Sequence, residues 1–510
     1  MANPKLFATL ALLVSCCTAA SVIVNDYEAY QAGAYGLHPN VSFKSTSLAQ
    51  PLFQISTWDK EASRLAGGYL VMSTPVGDQE SGAMILRGDD LSLVHAIVHE
   101  DGGADANIQT LDGQSLLTVF GQNIPSHSEN WDLLYGTDLE LAYNTTTIDM
   151  PVLADAHEFW LTEEGNAIVT AYPTISPFDL SAVGGNASSV LLDSCFQELD
   201  FRRNVSIFQW CASDHFPVDG SLESYAAGRE YDAYHLNAVS KGADDNYLVS
   251  SRHLAAIFYV NVTDGSLIWT LGGAYSNFTE TVSSVRGAGH EEGYTFQWQH
   301  HARFVGDDMN AISLFDNHGG NAGMTDVAGN CEQGYNCSRA LTIHVDYDAM
   351  TYEVRQVLEH PRAVSAYSMG SNVGLADGSW LVQWGKTPSF TEHDADGNVI
   401  MEAEYDLWNG TAFSYRTFWI PEDMWVTNPT TIPDAVVENG IVYASWNGAT
   451  RVHQWAIVDC ATNQVIAKAK RNGFETALSI PMINSTSIVV EALDSQGGKL
   501  GRSQKISLSV

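Results

Sequence analysis

The chain has 510 residues and carries 24 Lys and Arg against 60 Asp and Glu, which gives a formal net charge of -36. A chain this acidic excludes nucleic acid as a partner and disfavours an anionic membrane surface, because both require clustered positive charge. Charged residues make up only 16% of the chain and hydrophobic residues 45%, which excludes disorder and favours a large core rich in strands.

The first 20 residues have the pattern of a secretory signal. Lys5 precedes an apolar run over residues 6–14, and small residues follow up to Ala20. This order of a charged, an apolar and a small-residue segment predicts a signal peptide over residues 1–20 and a secreted protein. No later run reaches the roughly 18 apolar residues that a membrane helix needs, so we expect no membrane span.

A turn followed by a β-rich run recurs along the chain and organises it. The copies of the run are residues 68–72, 113–120, 165–172, 245–252, 308–315 and 378–384. Their irregular spacing is typical of propeller blades that carry loop insertions. The sequence therefore predicts an all-β protein with a six-bladed β-propeller over residues 55–425, on which residues 21–54 pack as an N-terminal extension.

After Pro429 the sequence pattern changes to short, closely spaced β-rich runs. Runs at residues 441–446, 452–457, 476–480 and 487–491 alternate with turns. This pattern predicts a small β-sandwich over residues 430–510, immunoglobulin-like or fibronectin-like, without obvious chemistry.

Hairpin symmetry indicates which residues face each other in three of the predicted blades. If each run is the second strand of a hairpin, three histidines occupy one repeat position. The predicted facing pairs are His157 with Tyr172, His235 with Arg252, and His300 with Asp316. The innermost strands of a propeller line its central channel, so we expect the three histidines to converge at one channel mouth.

Such a group of imidazoles beside a guanidinium suits an anionic ligand. Arg252 offers a fork of donors for a tetrahedral oxyanion, and Asn237 lies on the same strand face as His235. A phosphate would call for a metal ion or several cations, whereas a monoanionic sulfuryl group needs less neutralising charge. These segments contain no carboxylate-rich metal cluster, so we predict neither a metal nor a cofactor.

The cysteines and sequons fit an oxidising, glycosylating compartment. Removal of the signal leaves five cysteines, for which we predict the disulfides Cys195–Cys211 and Cys331–Cys337, with Cys460 free. The Asn-x-Ser/Thr sequons, predicted glycosylation sites, are Asn40, Asn144, Asn186, Asn204, Asn261, Asn277, Asn336, Asn409 and Asn484.

Several segments around these positions resemble the arylsulfotransferase family, in particular its secreted fungal branch. They are Asp155-Ala-His-Glu-Phe159, Tyr234-His-Leu-Asn-Ala-Val239, Leu248-Val-Ser-Ser-Arg252, Gln299-His300 and Leu314-Phe-Asp-Asn317. The resemblance covers about residues 25–425, and its most specific part is His-x-Asn followed by Ser-Ser-Arg. It implies a six-bladed propeller that transfers a sulfuryl group from an aryl sulfate to a phenol through a sulfohistidine, without a nucleotide donor.

The resemblance also implies a role for each matching residue. His300 is the nucleophile and Asp316 orients its ring. His235, Asn237, Arg252 and Asn317 bind the substrate, with His235 and Arg252 also stabilising charge in the transition state. His157 donates a proton to the leaving phenolate or binds the sulfate. The residue after the nucleophile is usually acidic in relatives, whereas this chain has His301, which adds a titratable cation.

Two other function classes fit the same residues. The first is a propeller that binds a ligand without turnover, for which His301 is the motive. The second is another secreted enzyme, such as a lyase, a hydrolase or a cyclase of secondary metabolism, that uses the histidines as acids and Arg252 as an anion clamp. The first predicts ligand binding without product, and the second predicts pH-dependent activity without sulfate transfer.

Overall fold

The computed structural model describes residues 21–73, 82–97, 103–121, 130–281, 285, 294–318, 327–328, 331, 337–482 and 485–508. Strands dominate these residues, and their one α-helix is Tyr27–Gln31, whose N-cap Asp26 accepts the backbone N–H of Ala29. The all-β prediction is confirmed. The predicted signal peptide lies outside the described residues, and no helix within them is long and apolar enough to cross a membrane.

The chain divides into two compact units. The larger unit consists of Val22–Val41 and Ala49–Thr430, and the smaller one includes Ser42–Leu48 and the residues after Thr430. Strands form the sheets of both units, as the near-absence of helical periodicity predicts.

The described part of the larger unit contains six sheets of at least four strands, which we call A to F. Sheet A consists of Thr417–Pro421, Gly68–Met72, Met84–Arg87 and Leu93–Ala96. Sheet B consists of Gly103–Leu111, Gln114–Gly121, Trp131–Tyr135 and Leu141–Thr145. Sheet C consists of Asp155–Leu161, Ala167–Ala171, Cys195–Asp200 and Val205–Cys211.

The remaining three sheets follow in chain order. Sheet D consists of Leu236–Lys241, Tyr247–Ser251, Ala256–Val260 and Leu267–Gly272. Sheet E consists of His300–Phe304, Ala311–Asp316, Arg339–Asp346, Thr351–Glu359 and Thr279–Glu280. Sheet F consists of Ser371–Gly374, Trp380–Gln383, Ser389–His393, Val399–Glu404, Phe53–Trp58 and Ile23–Val24.

Consecutive sheets contact each other from A to F, and F contacts A, so that the sheets form a closed ring. Both ends of the unit close it: Thr417–Pro421 is the first strand of sheet A, and Phe53–Trp58 pairs with Val399–Glu404 in sheet F. The first strands of sheets B, C, D and E lie next to one another in this order. This is the arrangement of a β-propeller, and we interpret each sheet as a blade.

The remaining short elements belong to the larger unit, except that Ser42, the last residue of the strand Asn40–Ser42, is part of the smaller one. The additional strands are Asn40–Ser42, Ala49–Pro51, Thr174–Phe178, Ser189–Leu192, Tyr231–Asp232, Val327–Ala328 and Val364–Ser365. The 3-10 turns are Ser181–Val183, Ala212–Asp214, Val218–Gly220 and Glu422–Met424. Each predicted turn-and-run copy forms the second strand of one of sheets A to F. The apolar residues of these strands are buried in the core.

Bulges interrupt the first strands of four successive sheets. They fall between Ala104 and Asn107 in B, Asp155 and Phe159 in C, Leu236 and Ala238 in D, and His300 and Arg303 in E. A bulge leaves an extra residue unpaired, bends the strand and re-aims its side chains. Sequence neighbours at these points therefore face different environments.

The bulges decide which predicted facing pairs occur. His235 with Arg252 is confirmed, since the Arg252 N–H donates to the His235 carbonyl at 3.0 Å. His157 and Tyr172 are not paired across the strands, because His157 lies within the bulge of sheet C, although their ring centroids lie 5.6 Å apart. His300 with Asp316 is wrong by one residue: His300 pairs with Phe315.

The smaller unit contains two mainly antiparallel sheets around one core. The first consists of Asp434–Glu438, Ile441–Ser445 and Thr476–Ser479. The second consists of Val465–Lys470, Gln454–Asp459, Ser487–Leu493 and Lys499–Arg502, with Ile506–Ser507 pairing on Ser487–Leu493. Trp446 and Trp455 belong to the core that both sheets share. The sandwich remains our interpretation of these sheets.

Both predicted disulfides are present, and Cys460 is free. Cys195 and Cys211 are direct partners across the hairpin that ends sheet C. The sequon residues Asn336 and Asn484 lie outside the described residues. Among the others Asn261 is half-buried and the rest are exposed, as attachment of a glycan would require.

Candidate functional site

A cavity of about 430 Å³ in the larger unit brings four of the predicted residues together. His157, His235, Arg252 and His300 line it, and they come from sheets C, D, D and E or the residues beside their strands. Residues 223–232, residues 367–369 and Tyr415 supply most of the remaining wall. The convergence of three histidines and Arg252 that the repeat predicts is therefore confirmed.

His300 is held in one tautomer by Asn317. Both N–H groups of the Asn317 amide are used, since Nδ2 donates to the carbonyls of Ala366 at 3.1 Å and Met369 at 3.0 Å. Its Oδ1 must therefore accept from His300 Nδ1, 2.7 Å away. This leaves Nε2 with its lone pair, which accepts the Met369 N–H at 3.2 Å.

Burial keeps this imidazole neutral. His300 is almost completely buried, and burial, with the positive charge of Arg252 as the next cause, lowers its pKa well below the usual value. A neutral ring with an unprotonated Nε2 is the nucleophilic form of histidine, once the Met369 N–H releases the Nε2 lone pair. The sequence-derived role of Asp316 is not supported by its contacts, because its carboxylate binds Arg339 Nε at 3.0 Å.

Arg252 is a buried cation without a carboxylate partner. Its Nη1 donates to His253 Nε2 at 2.9 Å and its Nη2 to the Tyr367 carbonyl at 2.9 Å, while Nε has no partner. The guanidinium lies between the rings of Trp298 and Tyr367, at 4.8 and 5.0 Å from their centroids. No described carboxylate lies within ion-pair distance, and burial lowers the pKa of Arg252. A buried charge of this kind requires a counter-ion, so an anion fits here.

His157 and His235 form two adjacent Asp–His pairs. His157 Nδ1 binds Asp155 Oδ1, and His235 Nδ1 lies 2.5 Å from Asp232 Oδ2. The two rings are 4.6 Å apart in an edge-to-face arrangement. In both pairs a carboxylate binds Nδ1, which is the arrangement of Asp–His pairs that transfer protons.

Asp232, His235 and His253 also bring one potential metal ligand each within 4.8 Å of one another. Hydrogen bonds account for the nitrogen atoms of His253: Nε2 accepts from Arg252, and Nδ1 donates to the Asp232 carbonyl at 2.6 Å. Burial lowers the pKa of His253 to about 3, so the ring is a neutral acceptor. These contacts favour a ring that orients Arg252 over one that binds a cation.

Asn237 does not line the cavity. It is fully buried, and its Nδ2 donates to the Gln299 carbonyl at 2.7 Å. The side chain thereby ties the first strand of sheet D to the residue before His300. Asn317, the other predicted substrate ligand, instead binds His300 Nδ1.

His301 lies in the bulge of sheet E, with φ of 54°, and does not line the cavity. Burial, followed by the charges of Arg303 and Arg416, lowers its pKa well below the usual value. A lowered pKa favours the neutral ring, so His301 does not supply the additional cation that the sequence predicts beside His300.

Sequence analysis missed Asp155, Asp232, Tyr367, Met369 and Tyr415. Asp155 and Asp232 carried a signal, since each precedes its histidine by two or three residues. The other three come from distant segments whose approach no local pattern reveals.

The class of this protein is an all-β protein with a closed ring of sheets and a cavity lined by histidines and Arg252, and family comparison gives the family. The profile described as arylsulfotransferase (ASST) matches residues 107–406, more than half of the chain. The chain belongs to this family, and the predicted resemblance is confirmed. No curated protein matches the chain.

Solved structures similar to this chain are distant. A protein of unknown function from Bacteroides caccae has 12% identity and a TM-score of 0.40, covering 70% of this chain and 99% of its own. The periplasmic gluconolactonase PpgL of Pseudomonas aeruginosa has 12% identity and a TM-score of 0.35, with coverages of 87% and 96%. BamB from Moraxella catarrhalis has 12% identity and a TM-score of 0.24, with coverages of 78% and 87%. Similarity at this level implies no function for this chain.

Proposed function

We propose that the protein transfers a sulfuryl group from an aryl sulfate to a phenol through a sulfohistidine at His300. The observation that carries the proposal is the tautomer of His300, whose Nδ1 carries the proton and whose Nε2 is unprotonated. This ring lines the cavity together with Arg252, and release of the Met369 N–H makes its Nε2 available for attack. A nucleophilic nitrogen next to an anion-binding guanidinium suits attack on a sulfuryl sulfur.

In the first half-reaction, Nε2 of His300 attacks sulfur, the N–S bond forms and the S–O bond to the aryl group breaks. The leaving phenolate takes a proton from the imidazolium form of His157 or His235. Arg252 stabilises the charge on the sulfuryl oxygens. In the second half-reaction, the acceptor phenol returns a proton to the same histidine, its oxygen attacks sulfur and the N–S bond breaks. The proton count balances over the two steps, as ping-pong transfer requires.

We further propose that the protein acts outside the cell, after removal of a signal peptide over residues 1–20. The two disulfides support an oxidising compartment. Small aryl sulfates and phenols are then the substrates, and a cavity of about 430 Å³ has the size of a pocket for such molecules.

The test is mass spectrometry of the protein after brief exposure to 4-nitrophenyl sulfate, with phenol added afterwards. We expect a sulfuryl adduct on the peptide that contains His300, and we expect phenol to remove it. His300→Gln should give no adduct, whereas His301→Gln, the matched control one residue away, should give it. An adduct at another residue would contradict the nucleophile. No adduct and no nitrophenol with a panel of donors would favour the binding propeller or the other enzyme class.

A further inference from the structure

A buried group of four charges lies beside the cavity. It consists of Asp105, Glu158, Arg303 and Arg416, which we call the central cluster. Arg416 Nη1 lies 2.9 Å from Asp105 Oδ2 and 3.0 Å from Glu158 Oε1, and Arg303 Nη2 lies 2.6 Å from Glu158 Oε2. Two carboxylates and two guanidinium groups make the cluster formally neutral, which is the condition for burying it.

Arg416 reaches beyond these carboxylates to the backbone of the site. Its Nη2 donates to the carbonyl of His157 at 2.8 Å and to that of Asn237 at 3.0 Å. The first carbonyl belongs to a cavity residue of sheet C, and the second lies two residues after His235 in sheet D. One guanidinium therefore joins the two strands that carry the Asp–His pairs.

Tyr415 reinforces the same connection. Its hydroxyl lies 3.2 Å from the His157 carbonyl, and its own carbonyl accepts the Gly370 N–H at 3.1 Å. Gly370 follows Met369, whose amide reaches His300 Nε2. The two residues 415–416 thus connect the strand of His157, the strand of His235 and the segment against His300.

We infer that Arg416 is a positioning residue that sets the placement of His157 and His235 relative to His300. The inference rests on the proposed function, to which it adds a residue outside the cavity that positions the histidines. Arg416 touches neither the cavity nor the reacting atoms, so it acts through the two carbonyls. Both carbonyls lie in bulges, where the regular strand pairing is interrupted. At these points Arg416 Nη2 and the Tyr415 hydroxyl contact the two strands.

The test separates positioning from folding by keeping the buried charge balanced. Arg416→Met combined with Asp105→Asn removes one cation and one anion, so no unpaired charge remains. The single Asp105→Asn variant is the control, since it keeps the guanidinium and both carbonyl contacts. The measurement is the single-turnover rate constant for sulfation of His300, which does not depend on the fraction of folded protein.

We expect the double variant to lose on the order of 10²-fold in this rate constant with phenyl sulfate, because misplacing the proton donor removes its contribution. The loss should be clearly smaller with 4-nitrophenyl sulfate, whose more acidic phenol leaves without a proton. The control should sulfate at a rate close to that of the unmodified protein with both donors. A merely structural residue would not change the dependence on the leaving group.

An unchanged rate constant, or equal losses with both donors, would overturn the role of Arg416. If the double variant does not fold, Arg416→Lys carries the same comparison, because an ammonium keeps the charge but cannot span both carbonyls and both carboxylates. If the unmodified protein forms no adduct with either donor, the proposed function fails and this role falls with it. If it forms the adduct and the variants do not differ from it, only the role of Arg416 fails.

Discussion

The cavity and the central cluster are built from the same strands but have opposite electrostatics. His157 lines the cavity whereas Glu158, the next residue, belongs to the cluster, and Tyr415 and Arg416 divide in the same way. In the cluster every charge has an opposite partner within ion-pair distance. In the cavity no described carboxylate lies that close to Arg252, and Asp232 and Glu223 act on it only from farther away. This difference indicates that the cavity, beside Arg252, is the place where a negatively charged ligand fits.

The largest expected effect compares the two buried arginines. Arg252→Met should lower kcat/KM for an aryl sulfate by about 10²–10³-fold, because it removes a donor to the sulfuryl group. It should change the free energy of unfolding little, since burial of this unpaired cation already costs stability. Arg303→Met should instead destabilise the protein by about 3–5 kcal/mol, because it leaves a buried carboxylate with one partner fewer.

Urea unfolding and steady-state kinetics on the same preparations measure both effects. If Arg252→Met destabilises the protein as much as Arg303→Met does, the two arginines do not have different roles. Arg252 would then be a structural bridge between blades, and the cavity would not require an external anion.

A second prediction concerns the tautomer of His300. Asn317→Asp places a carboxylate on Nδ1, which favours the imidazolium and raises the pKa of His300 from its lowered value. The protonated ring is not a nucleophile, so the acid limb of the rate of sulfation against pH should move to higher pH. We expect the rate at pH 6 to fall more than the rate at pH 8.

The matched control is Asn372→Asp, at another buried asparagine, whose Nδ2 donates to the Leu341 carbonyl at 3.1 Å and whose backbone contacts His301. Single-turnover sulfation measured from pH 5 to pH 9 distinguishes the two variants. Equal shifts of the acid limb in both would mean that the added charge acts at long range and that the contact with Asn317 is not decisive.

The sequence predicts the all-β class and the second strand of every sheet, because these depend on a period of two residues that is local. It also predicts both disulfides and the four cavity residues. The predicted partner of His300 is wrong by one residue, and the predicted pairing of His157 does not occur. Both errors arise because hairpin symmetry assumes strands without bulges. It cannot place Tyr415 or Met369 in the cavity, because only closure of the ring brings these distant segments to the histidines.

The smallest expected effect tests the balance within the central cluster. Asp105 is the carboxylate of the cluster that is protonated more easily. Burial raises its pKa to about 7; Arg416 lowers this pKa, and the charge of Glu158 raises it. Glu158 is also penalised by burial, but Arg303, Arg416 and the Val239 N–H lower its pKa overall. The Asp105 carboxylate therefore opposes folding most strongly above pH 7, and this cost disappears as the pH falls towards its unfolded value of 3.8.

Asp105→Asn is neutral at every pH, so it should gain stability over the unmodified protein at pH 8 and lose that gain near pH 4. Urea midpoints of both proteins between these pH values give the difference, in which the titration of the buried histidines cancels. A difference that does not vary with pH would mean that Asp105 keeps its charge, and the cluster would then be balanced by two full ion pairs. A stability difference that falls between pH 8 and pH 4 would mean that Asp105 is easily neutralised. The Arg416 guanidinium would then be only partly neutralised by Asp105 and would bind the carbonyls of His157 and Asn237 more strongly.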